Sequence, residues 1–248
     1  MADYTTALFL TFLAGLATMV GAIIALSLKK ISTKHLCLGM GFSAGVMLYV
    51  AFVELFGTGI KEIGYLPATI GFFTGMILIA IIDIFIPHEY QGEKGTNTQK
   101  RLMRLGILIT LGIIIHNLPE GTAVFFSYVS SIKFGISVAF AIAMHNIPEG
   151  IAIALPIFYA TKKKATAYIY SLAAAISEPV GALLALIVLF KFLNGFIIYF
   201  VLSLVSGVMV FIVFDELLPQ AYEYKDRHTI LAGVVGGMLV MALSLYFM

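Results

Sequence analysis

The sequence predicts an all-α polytopic membrane protein with eight transmembrane helices. Three observations point there: abundant apolar residues, scarce charge, and long apolar runs alternating with short polar connections. Of the 248 residues, 61% are hydrophobic and 11% charged, where a soluble domain carries about 25% charged residues. A soluble core cannot hide that much apolar surface, so hydrocarbon must be the solvent. The net charge of +2 gives no reason to expect nucleic acid. Cys37 is the single cysteine, which excludes an internal disulfide and a thiolate metal cluster.

A membrane-crossing helix needs about 20 mainly apolar residues. Span 1 covers about 4–28. It opens Met1-Ala2-Asp3-Tyr4 with no basic residue and is too long for a leader's apolar core, so it reads as a first crossing rather than a cleaved signal. Spans 2 and 3 cover about 36–57 and 66–87. A polar stretch around 88–104 follows, with Gly92, Gly95, Asn97 and most of the mid-chain charges. Spans 4 and 5 cover about 105–128 and 134–159; spans 6, 7 and 8 cover about 166–190, 194–219 and 229–247. No segment is large enough to be a separate soluble domain, so 1–248 reads as a single transmembrane domain.

Positive charge orients the spans. The odd-numbered loops carry 12 of the Lys and Arg residues, among them Lys29, Lys30, Lys34, Arg104, Lys162, Lys163, Lys164 and Arg227; the even-numbered loops carry Lys61, Lys133 and Lys191. That bias places the odd loops in the cytoplasm and both termini outside. The expected location is a plasma or inner membrane.

The chain also repeats itself. Val20-Gly-Ala-Ile-Ile-Ala-Leu26 in span 1 returns as Val180-Gly-Ala-Leu-Leu-Ala-Leu186 in span 6. The run Gly45–Leu55 of span 2 returns as Gly207–Leu217 in span 7, and Gly71-x-x-x-Gly75-Met76 of span 3 as Gly233-x-x-x-Gly237-Met238 in span 8. Spans 1–3 therefore map onto spans 6–8. The displacement is five crossings, an odd number, so the second copy is inverted relative to the first. The arrangement is 3+2+3: repeat one at about 4–87, two intervening helices at about 105–159, and repeat two at about 166–247. Inverted repeats are a transporter feature, with the substrate near mid-membrane at the repeat interface.

The chemistry lies in the two intervening helices. Span 4 holds His116-Asn117-Leu118-Pro119-Glu120-Gly121 and span 5 holds His145-Asn146-Ile147-Pro148-Glu149-Gly150. His and Glu four residues apart share a helix face, so two facing helices bring two imidazoles and two carboxylates to one point. That set suits Zn²⁺, Fe²⁺ or Mn²⁺ better than a soft ion. Pro119 and Pro148 free the carbonyls of Ile115 and Met144, and Gly121 and Gly150 would ease local unwinding around a cavity. The amides of Asn117 and Asn146 are placed to serve a second, adjoining position. Glu178 in span 6 adds a carboxylate at mid-depth, followed by Pro179; its counterpart in the repeat is Thr18. The plainer alternative makes these residues hydrogen-bonding glue between helices, with the glutamates protonated. Two copies of one motif on adjacent spans, with no cation beside the glutamates, argue against it.

These paired motifs closely resemble spans 4 and 5 of the ZIP (Zrt/Irt-like) metal transporters, and His-Asn-x-Pro-Glu-Gly in both spans is similar to a bacterial branch of that family. The resemblance covers the whole chain. It implies that His116, Glu120, His145 and Glu149 form a primary site and that Asn117, Asn146 and Glu178 form an adjoining one, with Glu120 and Glu149 bridging. Some relatives carry Gln and Asp at the positions of His145 and Asn146, a difference that bears on selectivity. The 88–104 loop holds only His88, unlike the His-rich loop of many eukaryotic members.

The expected activity is uptake of divalent metal, zinc first, with iron, manganese, cobalt or cadmium as further substrates. The metal is cargo and no cofactor is expected. An intramembrane metal-dependent hydrolase and a passive metal channel are the alternatives. Four protein ligands leave no open position for a catalytic water, and no zinc-protease helix or nucleophile elbow is present. Glu54 in span 2 and Asp215-Glu216 in span 7 are repeat-related acids that suit either a metal pathway or plain solvation. The pairs Gly41/Gly45, Gly71/Gly75 and Gly233/Gly237 suit packing within the protomer or a homodimer face equally.

Overall fold

Helix is the only regular structure among the described residues of the computed structural model, which are 3–27, 33–84, 98–189, 194–222 and 226–247. Among the described residues, eight helices are long and apolar enough to cross a membrane. A backbone in hydrocarbon has no water to satisfy its N–H and C=O groups, and helices satisfy them internally. Span 1 is Tyr4–Ser27, span 2 Lys34–Ile63, span 3 Tyr65–Asp83, span 5 Ile132–Thr161, span 6 Lys164–Val188 and span 8 Arg227–Ser244. Span 4 belongs to one helix, Thr98–Ser130, longer at its N-terminal end than the apolar run suggested. Span 7 runs as α-helix over Gly195–Ile212 and continues through Val213–Leu217 into Leu218–Tyr222. Most of the loop around 88–104, with His88, and Lys29, Lys30, Lys94, Lys191 and Lys225 fall outside the described residues.

Short polar side chains start the helices. Asp3 accepts from the Thr5 N–H at 3.0 Å and from the Thr6 hydroxyl at 2.5 Å. The Thr6 hydroxyl and Thr5 N–H hold its carboxyl below the usual aspartate range. Asn194 accepts from the Ile197 N–H at 2.9 Å at the head of span 7, and Asp226 from the Thr229 N–H at 3.2 Å at the head of span 8. Gly64, at φ +87°, makes the turn between spans 2 and 3, a backbone state that costs glycine nothing.

The outer surface is hydrocarbon-like: Phe9, Ile70, Ile77, Ile187, Leu239 and Leu243 are each more than half exposed. Inside, helices pack on small residues. Spans 1, 4, 5 and 6 form one group, in which span 1 lies along span 5, span 6 along span 4, and span 4 along span 5. In the other group, span 2 lies along span 8 and span 3 along span 7. The groups meet where span 2 touches span 5 and span 7 touches span 4.

Glycine sets the closeness of these contacts. A Cβ at Gly45 would strike the Val234 carbonyl and one at Gly207 the Phe72 carbonyl; Gly75 meets the Leu204 carbonyl as Gly237 meets that of Phe42. Backbone on the far side cannot give way, and overpacking costs about 1–3 kcal/mol. Gly75→Ala should therefore lower the thermal unfolding temperature in detergent, whereas Gly236→Ala, with nothing within 4 Å of the new carbon, should leave it unchanged.

Candidate metal centre

Spans 4 and 5 remain α-helical through Pro119 and Pro148. The sequence-based expectation of local unwinding there is corrected: each proline removes one backbone donor, but neighbouring helices clamp the segment. Gly121 sits against the backbone of Glu178 and Gly150 against that of Thr18, too close for any Cβ. The departures from α-geometry lie instead in spans 2 and 7, as π-helical turns at Val50–Phe56 and Val213–Leu217. Such turns are rare and concentrate at functional places.

The two motifs meet as their spacing requires. His116 Nε2 lies 2.9 Å from Glu149 Oε1, and His145 Nε2 lies 3.0 Å from Glu120 Oε1. Each imidazole thus pairs with the carboxylate of the other helix. Ligand atoms of His116, Glu120 and Glu149 all lie within 4.8 Å of one another. His145, Glu120, Asn117, Asn146 and Glu178 are fully buried, and His116 and Glu149 nearly so, at 4% and 2% exposure.

Both asparagines are held by their NH₂ groups. Asn117 donates to the Ala174 carbonyl at 3.1 Å, and Asn146 to the Ala14 carbonyl at 3.0 Å and to Glu178 Oε1. Their oxygens are left turned away from those anchors. Glu178 therefore joins the cluster through Asn146, and all seven residues expected at the site are buried.

That layer has too many acceptors. Asn117 Oδ1, Asn146 Oδ1, Glu120 Oε2, Glu149 Oε2 and Glu178 Oε2 are buried with no hydrogen-bond donor. An unpaired buried acceptor costs about 1–3 kcal/mol, more when charged, and no Lys or Arg is among the buried described residues. A bound cation would give a partner to those of the oxygens that reach it.

Further residues escaped the motif reading. The Ser43 hydroxyl of span 2 donates to the His145 carbonyl at 3.2 Å, tying one helix group to the other. A cavity of about 20 Å³ adjoins the site, with His116, Glu149 and Pro148 on one side and Met40, Ile212 and Leu217 on the other. It has room for about one water. Neither contact has a motif to announce it. Glu54 is half-buried and Asp215 exposed, each inside a π-helical turn and outside the buried layer; the Glu216 side chain falls outside the described set.

Eight apolar helices around a buried imidazole–carboxylate–amide cluster define a membrane protein that handles metal cations. A sequence profile of the ZIP zinc transporters matches residues 86–245. The chain is 43% identical to the zinc transporter ZupT of Clostridium perfringens, over 99% of this chain and 96% of that one. It is 47% identical to ZupT of Lysinibacillus sphaericus over 95% of each chain, and 42% identical to ZupT of Streptococcus mutans over 97% and 96%. The chain belongs to the ZIP zinc transporter family, whose members are membrane transporters rather than enzymes.

Proposed function

We propose that this protein carries divalent metal ions, zinc first among them, across a bacterial inner membrane into the cytoplasm. The observation that carries this reading is the layer of buried carboxylate and amide oxygens without donors, crossed by two His–Glu pairs. His116, Glu120, His145 and Glu149 form the primary position. Asn117, Asn146 and Glu178 form the adjoining one, with Glu120 and Glu149 shared. Iron, manganese, cobalt and cadmium are further candidate substrates, since imidazole and oxygen donors serve them too.

The packing supports a 3+2+3 inverted repeat. Gly45 on Val234 corresponds to Gly207 on Phe72, and Gly75 on Leu204 to Gly237 on Phe42, at the offset that relates the repeats. Repeat symmetry and the division into two helix groups favour alternating access, in which spans 1, 4, 5 and 6 move as one body against spans 2, 3, 7 and 8. The cavity beside His116 and Glu149 lies on the odd-loop side of the site: Met40 follows loop 1, Leu217 precedes loop 7. With the odd loops in the cytoplasm and both termini outside, this is the release side; Asp215 and Glu216, toward loop 7, suit a route on that side, and Glu54, toward loop 2, one on the external side.

Zinc flux into liposomes containing the purified chain tests this. Flux that saturates and stops with Glu120 and Glu149 neutralised supports a carrier. Unsaturable flux indicates a channel, and absence of flux with metal-dependent hydrolysis an enzyme. The pH dependence follows from the ligands. Imidazole must be neutral and carboxylates ionised to hold a metal, so protons compete with it. Zinc affinity should therefore fall as the pH is lowered. A flat binding titration from mildly alkaline conditions to about pH 5 would remove His116 and His145 from the site.

A further inference from the structure

The two helix groups are packed differently inside than between. Within a group, glycines let backbones interlock. A Cβ at Gly21 would come within 1.9 Å of the Ile147 carbonyl oxygen, and one at Gly45 within 2.1 Å of that of Val234. Gly75 against Leu204 and Gly121 against Glu178 are as close, at 1.9 Å. Each of these four contacts joins helices of one group. Gly39 of span 2 faces the other group instead, and a Cβ there would lie 3.8 Å from Pro148 of span 5, an ordinary contact. Interlocked backbones resist sliding, and a boundary with that much slack permits it.

A hydrogen bond crosses this boundary at the metal centre. Ser43 is fully buried, and its hydroxyl donates to the His145 carbonyl at 3.2 Å. Ser43 lies four residues beyond Gly39, and His145 three before Pro148, so the bond and the slack contact share one face of each helix. Ser137, Ser177, Ser203 and Ser206 turn their hydroxyls instead to carbonyls of their own helices. The crossing bond can open without orphaning either group. The His145 carbonyl sits inside a continuous helix and carries two lone pairs. The Ser43 hydroxyl has the Gly39 carbonyl, four residues back, as its alternative acceptor. Repeat two has no such hook: Gly45 corresponds to Gly207, so Ser43 corresponds to Val205, and the adjacent Ser206 donates at 2.6 Å to Ser203 of its own helix.

We propose that Ser43 is a positioning residue for transport: its hydroxyl, on the backbone of the ligand-bearing His145, holds the moving helix group where the metal site adjoins the odd-loop-side cavity. This rests on the two-body carrier reading above. In an inverted repeat the opposite position exchanges the roles of the two repeats. Span 7 would then have to supply the hook, and Val205 has no hydroxyl. A contact made in one position only shifts the equilibrium toward that position. The carrier therefore rests with its site on the release side, and each cycle breaks and remakes this bond.

The test places spin labels on cysteines substituted for Lys163 in the moving group and His228 in the other, both exposed on the odd-loop side, with Cys37 replaced. Label distances in the metal-free full-length chain, held in lipid nanodiscs, read the ratio of the two positions. In Ser43→Ala the ratio of the position seen here to the other should fall about fivefold, the effect of one net hydrogen bond. Ser43→Thr, which keeps a hydroxyl, should restore it. An unchanged ratio in Ser43→Ala would overturn the proposal, as would a fall that Ser43→Thr does not reverse. Loss of folded protein in both Ser43→Ala and Ser43→Gly would make the hydroxyl structural and overturn it too. The two-body reading fails separately. It falls if wild type and Ser43→Ala alike give one distance with and without saturating ZnCl₂, and stands if wild type gives two distances whose ratio ignores Ser43→Ala.

Discussion

Glu149→Gln should abolish saturable zinc flux in reconstituted vesicles while the protein still inserts and folds. Glu149 is 2% exposed and its Oε1 lies 2.9 Å from His116 Nε2, so it is a buried carboxylate with direct access to the proposed ion. Glutamine keeps the shape and one oxygen but removes the charge that offsets the ion in a low-dielectric layer. Removing one partner of a buried charge set costs about 3–5 kcal/mol, a loss of affinity of about a hundredfold or more. Its second oxygen has no donor to lose, so folding should be spared. Zinc titration of the purified variant and a melting curve separate the two effects. Normal affinity and flux would place the metal elsewhere.

Locking the two helix groups together should stop transport. Ile113 of span 4 and Ile212 of span 7 line the same cavity from opposite groups. With buried Cys37 replaced, cysteines at these positions joined by a short thiol cross-linker should reduce zinc flux to background, and reduction of a cleavable linker should restore it. The matched control pairs Ala25 of span 1 with Ala167 of span 6, which are buried in one cluster inside the proposed moving group. Cross-linking that pair should leave flux near its starting rate. Efficient bridging of Ile113 to Ile212 with undiminished flux would replace the two-body motion with a path through a static bundle.

His116/Glu120 and His145/Glu149 were readable because a four-residue spacing fixes a shared helix face whatever the fold. Asn117 and Asn146 were readable only as neighbours of those residues. Anchorage of their NH₂ groups on Ala174 and Ala14 depends on spans 6 and 1 packing against them. Proline in span 4 or 5 suggested unwinding, yet the helices continue, because Gly121 and Gly150 lock onto opposing backbone. The π-helical turns at Val50–Phe56 and Val213–Leu217 had no comparable signal.

Composition and periodicity by themselves determined the solvent, the number of crossings and the residue types of the buried cluster, since each follows from local chemistry: apolar length, helix repeat and side-chain identity. The repeated segments also paired Thr18 with Glu178. Only the tertiary structure decided that each histidine pairs with the glutamate of the other helix. It alone decided that Ser43 reaches the His145 carbonyl and that Asn146 reaches that of Ala14. Those outcomes depend on how closely two helices approach and at what rotation. In a membrane, small residues and backbone contacts set these across distant parts of the chain, and no local pattern records them.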